Sequence, residues 1–235
     1  MSARPTAVRA RGPVREALAC RVSAMLCLAL ALGWVAGLHH WTHGFEVWTF
    51  DGRRQLQLQA GELHAHPVAL RASDGSVPRL WGDAGAAPAA YLVDFIYTRC
   101  PSVCRALGSE YQQMQRELAV PRDAQQVQRG VYLVSVSFDV DYDDPVQLAR
   151  YAADMHADPR YWTLAVPATH DGARALLRSL GVVVVPDGEG GFVHNGGIHL
   201  LDERGRLRGL YGIDQWPKAL EAAQRLAATP REDLR

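Results

Sequence analysis

The chain has 235 residues, of which 48% are hydrophobic and 21% are charged, so it is long enough for one domain with accessory segments. Lys plus Arg and Asp plus Glu number 25 each. This balance provides no overall field to attract a polyanion, and the body of the sequence contains no basic stripe. We therefore expect no nucleic-acid partner.

The N-terminal part combines a basic tail with an apolar run. Residues 1–21 contain several arginines, and residues 22–38 contain no charge. Such a run is at the short end of what spans a bilayer, and basic residues before it keep the N-terminus in the cytoplasm. We predict a cytoplasmic tail over 1–21 and a single transmembrane anchor over 22–38. A signal peptide cleaved near Gly33 is the alternative. In both cases the rest is exported, which for a bacterial-type inner membrane means the periplasm.

Residues 39–88 are predicted to form a linker that begins with a β-hairpin. Residues 45–50 and 55–58 alternate in polarity, and Asp51-Gly52 between them is a hairpin signal. Five histidines are scattered over this segment, at positions 39, 40, 43, 64 and 66. We interpret them as solvated histidines of a linker. The alternative is that this segment is an arm that collects metal ions, since imidazole suits copper.

Strand and helix patterns alternate through a predicted domain over residues 89–230. The predicted strands cover 91–97, 131–138, 162–166, 198–201 and 207–211, and the predicted helices cover 101–118, 145–156, 171–180 and 216–228. This order indicates a layered α/β structure, in which a mixed central sheet is flanked by helices. A Cys-Pro pair at the first strand-to-helix junction favours a thioredoxin-like fold.

Two cysteines in the exported part carry the chemistry. Cys100 follows a buried strand and precedes a helix, whose N-terminus stabilises a thiolate. Cys104 lies one helical turn later on the same face. The pair can chelate a soft metal ion or close a redox-active disulfide. Cys20 and Cys27 lie beside or within the apolar run and are interpreted as membrane filler.

The motifs resemble those of the Sco/SenC family. The first is the segment FIYTRCPSVC over 95–104, and the second joins Ser137-Phe138-Asp139 to Asp143-Asp144-Pro145. The third is His194 followed by the Asp-x-x-Gly turn at 202–205. The resemblance runs from about residue 45 to the C-terminus and is strongest from Tyr91. It implies a copper-binding protein of cytochrome c oxidase assembly.

By that resemblance Cys100, Cys104 and His194 are the copper ligands, and Asp139 supports the site. Two thiolates and an imidazole suit copper as Cu(I) or Cu(II). A plain turn residue is the alternative for Asp139. The implied partners are the copper-bearing subunit of the oxidase and other copper carriers. His194 is expected in a loop near the sheet edge, beside a mobile loop over 188–191.

The sequence departs from the family pattern at three positions. Arg105 stands where the family has Pro, Val193 where it often has Asp, and His199 where it commonly has Tyr. His199 is five residues from His194, so in a regular strand the two side chains face opposite sides. We therefore expect His199 to be a surface or half-buried histidine.

A copper metallochaperone is the leading hypothesis, and it is not an enzyme in the usual sense. The C-x-x-x-C spacing and His194 favour it, because thiol oxidoreductases normally carry C-x-x-C. A membrane-anchored thiol–disulfide oxidoreductase uses the same sulfurs without His194 and is the first alternative. A redox or copper sensor is the second.

Overall fold

The computed structural model describes residues 13–42, 44, 47, 49–78, 80–82, 90–100, 103–120 and 130–229. It divides the chain into two compact units, Met1–Arg53 and Arg54–Arg235. The second unit contains the sheet and the predicted site.

The first unit contains one long helix, α1 (Pro13–Trp41). Its stretch Ala17–Trp41 is long and apolar enough to cross a membrane, and large apolar side chains along it are exposed. In the described part of the chain it is the one helix with that property. The predicted span over 22–38 lies inside it, and the helix fits a single-pass anchor.

The predicted hairpin is wrong where the structure describes it. Residues 55–58 lie in a helix, α2 (Phe50–Gln59), and residues 45, 46 and 48 lie outside the described residues. Thr49 starts the helix, because its Oγ1 accepts a hydrogen bond from Gly52 N at 3.0 Å. Arg54 is buried and Leu58, one turn later, packs against the core. Arg54 and Leu58, four residues apart, thus lie on the helix face that packs on the domain, and the alternating polarity at 55–58 does not form a strand.

The second unit is built on a six-stranded mixed sheet, whose strands are β1 (Leu70–Ala72), β2 (Ala90–Ile96), β3 (Val131–Ser137), β4 (Trp162–Pro167), β7 (Ile198–Asp202) and β8 (Leu207–Tyr211). Their order in the sheet is β1-β4-β3-β2-β7-β8, and β5 (Val184–Pro186) and β6 (Phe192–His194) form a separate two-stranded sheet. Strands β2, β3 and β4 run parallel, whereas β1, β7 and β8 pair antiparallel with their neighbours. This confirms the predicted thioredoxin-like arrangement with a mixed sheet.

Four helices cover the sheet, at positions close to the predicted ones. They are α3 (Val103–Ala119), α4 (Pro145–Asp154), α5 (His170–Ser179) and α6 (Trp216–Ala228). Asp144 caps α4 as expected, since its Oδ1 accepts from Gln147 N at 2.8 Å. Gly181, with a φ of 65°, follows α5 in the left-handed conformation that favours glycine.

Burial of the central strand explains why the sheet has two cores. Every residue of β2 is buried, and successive side chains point to opposite faces. Leu92 and Ile96 pack in the core that includes α3, α4 and α6, whereas Val93 and Phe95 pack in the core that includes α5. The ends of β2 and β3 stay together, because Phe138 N donates to Ile96 O at 3.0 Å. The predicted site begins at this edge.

Candidate metal centre

The loop before Cys100 is fixed to the end of β3 by a buried carboxylate. Asp143 accepts hydrogen bonds from Thr98 N at 3.0 Å, from the Thr98 hydroxyl and from Ser137 Oγ. Cys100 N donates to Tyr97 O at 3.1 Å, which closes a turn, and the Cys100 side chain is buried. In the sequence Asp143 is recognised only as part of a motif. Its role in holding the loop before Cys100 depends on the tertiary contact with Thr98, which motif spacing does not reveal.

Cys100 lies just before the N-terminus of α3. Residues 101 and 102, between it and the first described residue of the helix, lie outside the described residues, so the stabilisation of a Cys100 thiolate by the helix N-terminus stays a prediction. Cys104 belongs to the first turn of α3, but its side chain lies outside the described residues. Among the side chains that are described, no three His, Cys, Asp or Glu residues form a metal-binding group. The predicted ligand set thus stays a prediction.

The Asp139 carboxylate forms an ion pair with Arg99. Its Oδ2 accepts from Arg99 Nη2 at 2.7 Å, and its side chain is 5% exposed. The Arg99 guanidinium also lies 4.4 Å above the ring of Tyr142. The Arg99–Asp139 ion pair joins the residue before Cys100 to the segment after β3. Asp139 therefore supports the loop geometry, and its role towards a metal stays a prediction.

His194 lies in a strand and not in the expected loop. A two-stranded antiparallel sheet forms from β5 (Val184–Pro186) and β6 (Phe192–His194), with Val184 opposite His194. This hairpin could not be predicted from the sequence, because each of its strands has only three residues. Its turn is hydrogen-bonded, since Asp187 Oδ1 accepts from Glu189 N at 2.8 Å and from Gly191 N at 2.9 Å. These bonds also hold the pKa of Asp187 below its usual range.

An aromatic cluster connects His194 to the loop that precedes Cys100. Tyr97, Phe138 and Phe192 pack with ring centroids 5.2 to 5.5 Å apart, and Phe138 packs against the His194 ring at 5.2 Å. In addition, Phe192 N donates to the Tyr97 hydroxyl at 3.3 Å. Tyr97 is three residues before Cys100, and Phe192 is two before His194. The cluster therefore brings both segments to one edge of the sheet.

The His194 imidazole has one ring nitrogen that no described residue contacts by a hydrogen bond. The ring is half-buried, and this nitrogen is the buried Nδ1. Burial lowers the pKa of the imidazole, so that it stays neutral near pH 7 with a lone pair available. A Cβ at position 196 would lie 2.6 Å from His194 Cε1, so glycine there leaves room for the ring.

A cavity of about 260 Å³ adjoins the imidazole. Its walls include Phe95, Leu107 and Ile213 besides His194 and the backbone that follows it. Apolar walls around a neutral ring nitrogen suit a soft, weakly hydrated cation such as copper.

His199 is fully buried, which corrects the expectation of a surface or half-buried residue. Its exposed fraction is 0%, and its ring packs edge-on against Phe95 at 5.2 Å. Its two ring nitrogens contact Val93 O and the guanidinium of Arg54. His199 is therefore occupied by protein groups and does not join His194 as a ligand.

These features define a thioredoxin-like protein with a cysteine and a histidine presented at the carboxyl edge of its parallel strands. The SCO1/SenC family model matches residues 81–229. The chain belongs to the SCO1/SenC family.

Similar proteins include one from Bacillus subtilis (strain 168), named SCO1 protein homolog. It is 25% identical over 130 residues, a match that covers 54% of this chain and 64% of that protein. The match therefore spans slightly less than two thirds of that relative's length.

Solved structures of two family members are similar in fold. ScoI of Arabidopsis thaliana, solved with copper bound, superposes with a TM-score of 0.54 at 17% identity, over 68% of this chain and 98% of that one. BsSco, described as having a disulfide switch and as a member of the Sco family of cytochrome c oxidase assembly proteins, gives a TM-score of 0.58 at 19% identity. That match covers 72% of this chain and 96% of BsSco.

Proposed function

We propose that the chain is a copper metallochaperone that holds one copper ion for assembly of the copper centre of cytochrome c oxidase. The observation that carries the proposal is the His194 imidazole, whose buried Nδ1 lacks a partner among the described residues. The aromatic cluster holds this imidazole against the segment that leads to Cys100. Family membership and the copper-bound ScoI structure support the assignment.

Cys100, Cys104 and His194 are the proposed copper ligands, and copper is the cargo. Two thiolates and one neutral imidazole match the ligand preference of Cu(I) and also bind Cu(II). Asp143 and the Arg99–Asp139 pair hold the loop that presents Cys100. The chain's own contribution is to bind and orient the ion, and to keep the imidazole neutral by burial.

A second candidate is a thiol–disulfide oxidoreductase that keeps the cysteines of a target reduced. The position of Cys100 before α3 favours it, because a thiolate at a helix N-terminus is reactive. The disulfide switch described for BsSco points the same way. A redox or copper sensor would use the same two sulfurs and report through a partner.

The copper affinity of the reduced and oxidised protein tests the proposal. We expect the reduced full chain in detergent to bind one copper, and a reversible Cys100–Cys104 disulfide to exclude it, because the thiolates are consumed. A Cys20→Ser, Cys27→Ser double variant should behave like wild type, since those cysteines lie in α1. Copper bound with equal affinity after complete oxidation would contradict the proposed site.

The α1 helix supports a location at a bacterial-type inner membrane. In the proposed arrangement residues 1–21 are cytoplasmic, residues 22–38 span the membrane, residues 39–88 link it to the domain, and residues 89–230 act in the periplasm. The copper-bearing subunit of the oxidase and other copper carriers are the proposed partners.

Protease treatment of intact spheroplasts tests this arrangement. We expect the protease to digest the domain and to leave an N-terminal fragment in the membrane, because basic residues hold the tail inside. A freely soluble mature protein whose N-terminus lies near Trp34 would show cleavage instead.

A further inference from the structure

Arg54 is a buried cation that reaches the segment carrying His194. It lies in α2, in the region predicted as a linker, and is only 3% exposed. Its Nε donates to Leu180 O at 2.8 Å and its Nη1 donates to Asn195 O at 3.3 Å. Its Nη2 contacts the Nε2 of His199. One guanidinium thus joins the end of α5, the residue after His194 and the second residue of β7.

The His199 contacts define which nitrogen carries the proton. Nδ1 lies 3.0 Å from Val93 O, an acceptor, so Nδ1 is the protonated nitrogen and donates. Nε2 therefore accepts from Arg54. Burial, followed by the positive charge of Arg54, lowers the pKa of His199 to about 3, so the ring stays neutral at every physiological pH. The imidazole therefore gives Arg54 a buried acceptor.

The backbone after His194 is held from two sides. Asn195 Oδ1 accepts from Val183 N at 2.6 Å, and its Nδ2 donates to Gly181 O at 3.1 Å. Arg54 binds the Asn195 carbonyl from the other direction. Because Asn195 is adjacent to His194, these bonds restrict the peptide that orients the imidazole.

We propose that Arg54 is a positioning residue for His194, which it orients through the Asn195 carbonyl while the His199 imidazole fixes the guanidinium. The inference rests on the proposed function, in which His194 binds copper. It goes further by making the copper site depend on a residue of α2, outside the predicted domain over 89–230. A guanidinium suits this role, since its planar fork bonds several acceptors in fixed directions.

The test compares Arg54→Met with Arg53→Met in the full chain in detergent. Arg53 is the exposed neighbour on the same helix, so its variant controls for loss of charge and for the methionine itself. For Arg54→Met we expect Cu(II) affinity to fall about tenfold, as is typical when a group that orients a ligand is removed. The Cu(II) absorption and EPR spectra should change, whereas the midpoint potential of the Cys100–Cys104 couple should not. Arg54→Lys should retain part of the wild-type spectrum.

A copper-free measurement separates this inference from the proposed function. Amide hydrogen exchange at residues 194–197 should be faster in apo Arg54→Met than in apo wild type, with Arg53→Met unchanged. If wild type binds no copper, the proposed function fails, and unchanged exchange would overturn the Arg54 role independently. If copper binds through His194 but Arg54→Met leaves the spectra, affinity and exchange unchanged, the inference alone is overturned. Should Arg54→Met not fold, the same measurements are made on His199→Phe, which removes the acceptor that fixes the Arg54 guanidinium. Unchanged copper affinity, spectra and exchange in that variant would overturn the inference.

Discussion

His194→Ala is expected to lower Cu(II) affinity by roughly a hundredfold or more, beyond the 10–100-fold typical of losing a group that only supports a ligand. Cu(I) affinity should fall less, because two thiolates alone can hold Cu(I). The fold should tolerate the change. The imidazole is half-buried and one of its nitrogens has no partner among the described residues, so its removal should cost about 1 kcal/mol.

A matched histidine supplies the control. His170→Ala removes an exposed imidazole that pairs with exposed Asp141, so copper affinity and stability should match wild type. Copper titration and oxidase activity in cells carrying each variant are the measurements. If His194→Ala binds no copper yet supports full oxidase assembly, the chaperone proposal fails and the thiol–disulfide oxidoreductase takes its place. If it binds copper as wild type does, His194 is not a ligand.

The sheet could be predicted from sequence because its strands are long apolar runs separated by clear turn signals. The bounds of β8 and α6 match the predicted ranges, and β2 and β3 differ from theirs by one residue at most at each end. The three strands that were missed, β1, β5 and β6, have three residues each. So short a segment has no measurable periodicity, and its pairing depends on tertiary contacts.

Residues 50–59 show how local signals compete. Asp51-Gly52 favours a hairpin and the alternation at 55–58 favours a strand. The helix prevails because Thr49 caps it and because Arg54 and Leu58, four residues apart, are both taken up by the domain. Sequence alone does not show that Leu180 and His199 supply acceptors for Arg54, since these contacts span more than a hundred residues.

The candidate site was only partly predictable for the same reason. Motif spacing singled out Cys100, Asp139 and His194, and the structure brings the segments that carry them to one edge of the sheet. The contacts that hold them there depend on tertiary packing. Asp143 reaches back to Thr98, and Tyr97 contacts Phe192 across ninety-five residues. Asp139 binds Arg99, a pairing that the motif does not indicate.

Asp94 is an ionisable group in the middle of β2, where a charge is least tolerated. It is 1% exposed and shares a strand face with Leu92 and Ile96. Burial raises its pKa to about 7, although the nearby Ser135 and Tyr111 hydroxyls offset part of the rise. Neither carboxyl oxygen has a hydrogen-bond partner among the described residues. An aspartate in an unfolded chain has a pKa of about 3.9. The folded protein therefore keeps a proton that the unfolded chain releases.

Asp94→Asn should consequently make stability less dependent on pH. Below about pH 4 both states of wild type are protonated at Asp94, so the residue contributes no pH dependence. From there to its folded pKa of about 7, the unfolded state binds fewer protons, and the free energy of unfolding falls as pH rises. With ~1.4 kcal/mol for each pKa unit, the loss is roughly 4 kcal/mol by pH 8. Asparagine has a similar shape but no proton to lose. Between pH 4 and pH 8 the free energy of unfolding of the variant should therefore rise by that amount relative to wild type.

Urea denaturation at several pH values measures the effect, with Asp154→Asn as the control. Asp154 is an exposed carboxylate at the end of α4, so its variant should follow the wild-type pH profile. The informative quantity is how the difference in unfolding free energy between Asp94→Asn and wild type changes with pH, because any packing cost of the amide is the same at every pH. A constant difference between Asp94→Asn and wild type from pH 4 to pH 8 would mean that the folded carboxyl ionises normally. Its surroundings would then have to solvate a charge that the described contacts in the core do not accommodate.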